Sequence, residues 1–175
     1  MRIVVPALCS LSLLAAAAAA QAEWRLDQGV AIVSPTENNS TMELFAVSCG
    51  DPYFVEVYAR GGPVRPEPLD ETLQADYFYT PGKVQARIDG QVFAMTAAGS
   101  DAAVVLFAEG TAAGGYMAPV PKSLIAALRS GASLTLAFDI TGDANAVDGT
   151  PHETFASFPL SGSAAALDAA LASCQ

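Results

Sequence analysis

Beyond residue 22 the chain is a succession of short alternating apolar/polar segments, each fenced by Gly, Pro, Asn or Asp. That rhythm is the signature of antiparallel β-strands joined by tight turns. Lys83 to Ile88 shows it most cleanly, with Val84, Ala86 and Ile88 on one face and Gln85 and Arg87 on the other. Asp89-Gly90 follows, a dipeptide suited to a type I′ hairpin turn because both central positions take positive φ. Gln91 to Ala97 then returns. Trp24 to Val33, Thr41 to Cys49, Tyr53 to Ala59, Ala102 to Ala108, Ser133 to Ile140 and Glu153 to Leu160 read as further strands, and Thr72 to Tyr79 as a weaker one. Gly50-Asp51-Pro52 makes Thr41 to Cys49 and Tyr53 to Ala59 a hairpin. Ser34 to Ser40 reads as a turn, Gly61 to Pro68 as a surface loop or stiff edge, and Thr141 to Thr150 as a polar loop.

Two helices interrupt the pattern. Pro121 to Ser130 carries Leu124, Ile125 and Leu128 as a stripe, with proline in the first turn and Gly131 as the stop. A final helix begins after Ser161-Gly162-Ser163, with Ser163 as the expected N-cap. Ala164, Leu167, Ala170, Leu171 and Cys174 fall on one of its faces. The expected fold class is mainly β: an antiparallel β-sandwich or partly open barrel with two short helices.

The first 22 of the 175 residues read as a leader rather than as part of the fold. Arg2 is a short basic start, Ile3 to Ala20 is an apolar run, and Ala20-Gln21-Ala22 offers small residues where a signal peptidase reads them. The competing reading is an uncleaved anchor, since about 18 apolar residues nearly span a bilayer. Cys9 follows Leu8 and lies too early for a lipidation site. The expected organisation is a cleaved signal peptide over 1–22 and a single β-rich domain over 23–175, in the periplasm of a Gram-negative bacterium or secreted.

Removing the leader leaves 7 basic against 18 acidic side chains, a net charge of −11. Such a chain repels phosphate backbones and anionic lipid surfaces, so nucleic acid and membrane surfaces are poor partners, and a basic protein surface is a better one. Of three cysteines, Cys9 departs with the leader and Cys49 and Cys174 remain. An even pair in an oxidising compartment reads as one disulfide, which ties the terminal helix to an early strand. Two free thiols are the alternative. A shared metal is disfavoured because His152 is the one histidine of the chain.

Catalytic signatures are scarce. His152 has no Cys or second His to work with and reads as a loop or strand-edge residue. Ser161-Gly162-Ser163 lacks the nucleophile-elbow pattern. Asp143, Asn145 and Asp148 are weak calcium candidates. Counting from Asp143, the sixth position is Asp148 where a calcium loop needs Gly, and the twelfth is Thr154 where it needs Glu. Glu43, Glu56, Asp76 and Glu109 read as a solvated acidic face rather than a paired-carboxylate site. Asn38 and Asn39 begin overlapping Asn-x-Ser/Thr sequons and read as turn residues. Tyr53, Tyr58, Tyr77 and Tyr79 surround the Pro/Gly loop, and an exposed aromatic patch built from them is the candidate binding surface. Core packing is the competing account. No cofactor is implied.

Trp24 near the expected mature start, Phe45-Ala46-Val47-Ser48-Cys49, Val84-Gln85-Ala86-Arg87-Ile88-Asp89-Gly90, and the ending Phe158-Pro159-Leu160-Ser161-Gly162 with Ala165-Ala166-Leu167 and Cys174 occur in a familiar order. The chain resembles the small periplasmic VasI-type proteins associated with type VI secretion and, more loosely, the invasion-associated IalB group. The resemblance spans most of residues 23–175 and departs at Gly61 to Pro68 and at Gly110 to Tyr116. It implies a β-sandwich whose first and last segments share a disulfide, and it implies no catalytic residue. The expected role is a non-catalytic binding or envelope accessory domain partnering another envelope or secretion protein. A glycan hydrolase using paired carboxylates and a small-ligand or calcium-binding domain are the alternatives.

Overall fold

The computed structural model describes residues 23–68, 75–99, 103–144 and 151–174. The leader expected over 1–22 lies outside them. Eleven strands and two helices follow in chain order: β1 (Arg25–Asp27), β2 (Val30–Val33), β3 (Glu37–Asn38), β4 (Met42–Cys49), β5 (Tyr53–Ala59), β6 (Val84–Ile88), β7 (Gln91–Gly99), β8 (Val104–Glu109), β9 (Met117–Ala118), α1 (Lys122–Ser130), β10 (Ser133–Ala144), β11 (Pro151–Pro159) and α2 (Ser163–Ala170). All strands join one antiparallel sheet in the order β1-β2-β4-β5-β8-β7-β6-β10-β11-β3, with β9 attached to β8. The mainly β architecture is as the alternation predicts: one sheet, not closed, with two short helices.

The sheet has to curl. Eight strand spacings separate β2 from β3, which is about 38 Å across a flat sheet. Yet only three residues lie between Val33 and Glu37, a reach of about 14 Å. The sheet therefore bends round until β3, in the connection between β2 and β4, meets β11 at the far edge. Asn38 and Asn39 fasten that meeting. Asn38 Nδ2 donates to the Met42 carbonyl at 2.6 Å, and Asn39 Oδ1 accepts the Phe155 N–H at 2.6 Å. The expected turn over Ser34 to Ser40 thus carries a two-residue strand.

Inside the curl, alternate residues of the strands meet. Phe45 of β4 stacks on Phe158 of β11 at 5.6 Å and receives the edge of Trp24 at 6.1 Å. Trp24 Nε1 donates to the Pro159 carbonyl at 2.7 Å, so the first described residues are bonded to the last strand. Leu124, Ile125 and Leu128 of α1 are buried in the same core, as the stripe predicts. From α2 come Ala166, Leu167 and Ala170, followed by Leu171. Ala164 is exposed, which corrects the expected face by one position.

Other local expectations change for physical reasons. Trp24 to Val33 is not one strand but a hairpin: Gln28 and Gly29 take φ of 48° and 85° and turn the chain between β1 and β2. Asp89 and Gly90, at 48° and 85°, make the turn foreseen between β6 and β7. Ser163 is not the cap of α2. Gly162 holds that position at φ 83°, and the buried Ser163 hydroxyl donates to the Leu128 carbonyl at 2.7 Å, bonding the two helices together. The expected polar loop from Thr141 is shorter, because β10 runs to Ala144 and β11 starts at Pro151. Gly131 stops α1, but in extended geometry. A Cβ there would lie 2.6 Å from Ile88 Cγ2, so close approach and not a left-handed turn demands glycine.

Cys49 and Cys174 are joined, with Cα atoms 5.4 Å apart and a sequence separation of 125. Cross-linking a loop of that length removes denatured-state freedom worth about 4–5 kcal/mol as an upper figure. Replacing both cysteines by serine is expected to lower unfolding free energy by up to about that amount, with little change in far-ultraviolet circular dichroism; chemical denaturation of the two proteins side by side checks it.

Candidate functional site

β2, β4 and β5 send Ala31, Val33, Phe45, Val47, Val55 and Val57 into the core. The pleat sends their neighbours the other way. Val30, Ile32, Leu44 and Tyr58 are among them, and with Asp27 and Gln28 they line an open cleft of about 260 Å³. The strand pairings fix it: Asp27 lies opposite Val30, and Leu44 opposite Tyr58. A bulge between Met42 and Leu44 puts Leu44 on the outer surface while Met42 stays buried.

Tyr58 forms one wall and is 36 % exposed. Its hydroxyl donates to Glu56 Oε2 at 3.4 Å. Partial burial, then the Glu56 charge and this hydrogen bond, push the phenol pKa up, so Tyr58 stays a neutral donor. Phe54, two residues before Glu56 on the same strand, is 48 % exposed. The surface is apolar at its centre and acidic at its rim, where Asp27 and Glu56 sit. Its volume lies at or below the small end of pockets that enclose a small molecule. An open cleft of this size has room for one or two side chains.

The four tyrosines of the expected patch do not act together. Tyr58 alone lines the cleft. Tyr53 is half-buried against the core. Tyr79 is exposed on the turn after Phe78 and donates its backbone N–H to the Ala97 carbonyl at 2.8 Å. Tyr77 is a correction to the patch. It is fully buried, its ring meets Phe138 at 4.9 Å, and its hydroxyl donates to the Val64 carbonyl at 3.3 Å. Val64 is itself buried, and Thr41 Oγ1 accepts the Arg65 N–H, so the proline loop is pinned against β4. Core packing decides Tyr77.

Missed from sequence were Asp27, Gln28, Val30, Ile32 and Leu44. A signal was present. Val30-Ala31-Ile32-Val33 and Leu44-Phe45-Ala46-Val47 are apolar on both faces. Such a strand either has cover on both sides or displays an apolar surface.

A second polar group lies around Lys83. Its ammonium reaches Asp139 Oδ2 at 3.1 Å and Asp76 Oδ2 at 3.3 Å. Glu109 Oε2 accepts the neighbouring Gly82 N–H at 2.7 Å. Asp76 and Asp139 are thus two carboxylates in one place, but the ammonium stands between them and pairs with both. Cross-strand ties, rather than a space for a sugar, describe this group. Of the calcium candidates, Asn145 and Asp148 lie outside the described residues, and Asp143 has its backbone in β10.

Comparison with protein-family models, with curated proteins and with solved structures returns no match to this chain.

Two groups near the core tie stability to alkaline pH. Burial pushes the Tyr77 pKa well above the ordinary tyrosine value of 10.0. For Lys83, burial alone lowers the pKa, but the hydrogen bonds and charges of Asp139 and Asp76 outweigh it and raise it above 10.5. In both cases the folded value exceeds the unfolded one. The stabilisation is therefore whole below about pH 10 and lost as pH rises through the folded values. Urea midpoints measured from pH 8 to 12 are expected to hold and then fall. In Tyr77→Phe the fall is expected to be shallower, with a neutral-pH cost of about 1 kcal/mol for the lost hydrogen bond.

Proposed function

We propose that this protein is an exported, non-catalytic binding domain. It takes an apolar side chain of a partner protein into the cleft between β1 and β5, with a basic residue of that partner against the acidic rim. The observation that carries this reading is the outward cleft of Val30, Ile32, Leu44 and Tyr58, bordered by Asp27. Ile32 is already buried there, but Val30 and Leu44 are half-exposed and Tyr58 is exposed, so this apolar concavity keeps a solvation cost that a partner side chain would remove. The net charge of −10 supports a basic partner over nucleic acid or anionic lipid. The leader-like first 22 residues, the disulfide and the resemblance to VasI-type periplasmic proteins support an envelope or secretion partner.

A photo-reactive phenylalanine analogue at Leu44, introduced in the source cells, is expected to give one dominant cross-linked product. The same probe at Val92, an exposed apolar position on β7, serves as control. Tyr58→Ala is expected to reduce the Leu44 product about tenfold, the usual loss for an aromatic anchor, while the thermal midpoint stays near that of the wild type. Equal labelling at Leu44 and Val92, or no effect of Tyr58→Ala, would sink the reading.

A further inference from the structure

We propose that the outer edge of β1 pairs antiparallel with the same edge of a second copy of this chain, centred on Leu26. The pairing rests on the backbone edge and not on the apolar floor of the cleft, and it gives the Asp27 carboxylate to Arg25 of the second copy in place of a base from another partner. Among the described residues β1 pairs with β2 alone, so one side of Arg25–Asp27 is open. The hairpin fixes which backbone groups face that side. A two-residue turn makes Asp27 and Val30 a hydrogen-bonded pair, and such pairs alternate along an antiparallel ladder. Arg25 and Ile32 are then the next bonded pair, and both face inward on the hairpin. Leu26 is the residue whose N–H and C=O point out to the open edge.

A two-fold axis beside Leu26 lets the two copies exchange both bonds, N–H to C=O in each direction. That is the isologous arrangement of a symmetric dimer. The side chains agree with it. Pairing about Leu26 sets Arg25 of one copy against Asp27 of the other, twice, and Leu26 against Leu26. The Arg25-Leu26-Asp27 run is its own charge complement. Leu26 is 50 % exposed, and no ion pair within the described residues involves Arg25 or Asp27. The opposite edge of the sheet is a useful contrast. β3 is Glu37–Asn38, which offers an acid and no base, so two copies meeting there bring like charges together. A three-residue ladder buries far less than the roughly 1,000 Å² of a stable interface, so the association is weak and concentration-dependent.

Sedimentation equilibrium of the full-length product from about 10 μM to about 1 mM covers the range a small interface requires. The wild type is expected to shift from monomer to dimer across it. Arg25→Asp and Asp27→Arg are each expected to weaken association about tenfold, because each replaces two cross-strand attractions by like-charge pairs. The double variant R25D/D27R restores the complement and is expected to recover wild-type association. An equimolar mixture of the two single variants is expected to associate as the wild type does, which keeps the test independent of any one variant's stability. A wild type that stays monomeric throughout overturns the proposal. So does a double variant as weak as the singles, or a mixture no tighter than its parts.

Discussion

A curled sheet that does not close leaves its interior open, and water there would forfeit the burial that drives folding. The chain answers with cover drawn from α1, from its C-terminal end and from Trp24. Leu124, Ile125 and Leu128 of α1 and Leu167 and Leu171 at the C-terminal end fill the core beside the strands. Trp24, just before β1, adds its ring to Phe45 and its indole N–H to Pro159. Helices of eight and nine residues have little intrinsic stability in water. They persist because packing and two specific bonds hold them: the Ser163 hydroxyl on the Leu128 carbonyl, and the Cys49–Cys174 disulfide just beyond α2. The disulfide is the covalent part of this cover, since it keeps the last helix beside β4 whatever the rest of the chain does.

How much of this was legible in the sequence follows from which forces act locally. Val84 to Ile88 and Asp89-Gly90 were legible because pleat alternation and positive φ are properties of neighbouring residues. The hairpin at Gln28-Gly29 was not, since Gln28 is no habitual turn former and β1 is exposed throughout, with no buried face to show a period. β3 was illegible for a different reason. Two residues acquire strand geometry only because β11 arrives from far along the chain. Ser163 had the composition of a cap and the fate of a tertiary bond. Residue type told that its hydroxyl would bond, and only the fold told to what.

The candidate site divides along the same line. Aromatic content around the proline loop pointed to a surface, but composition cannot say which side of a strand faces out. Tyr77 went inward because Phe138, Phe78 and the Val64 carbonyl give it both stacking and a hydrogen-bond acceptor. Tyr58 stayed out because β5 places Val55 and Val57 in the core and Glu56 and Tyr58 away from it. The acidic residues sorted themselves too. Asp89 accepts the Ala132 and Ser133 N–H groups and fixes the hairpin turn to the end of α1, while Asp76 and Asp139 hold Lys83. Each of these carboxylates has a structural partner. Asp27 and Glu56, at the cleft, have no cation of their own among the described residues.

Exposed Glu37, Glu43 and Asp51 also lack a cation among the described residues, so Asp27 is singled out by its place beside an apolar cleft. A protein with this much acidic charge spends most of it on solubility and internal ties. The acids left at the rim of an apolar cleft have their strongest use toward a cation from elsewhere, because a base brought against them beside low-dielectric walls interacts more strongly than one in open water. In the proposed binding, the apolar floor of Val30, Ile32 and Leu44 would supply affinity and the rim orientation. β1 belongs to both features: its Asp27 lines the cleft, and its far side is the open edge of the sheet. Whatever pairs with that edge therefore extends the wall of the cleft, so the two surfaces are neighbours by construction of a single three-residue strand.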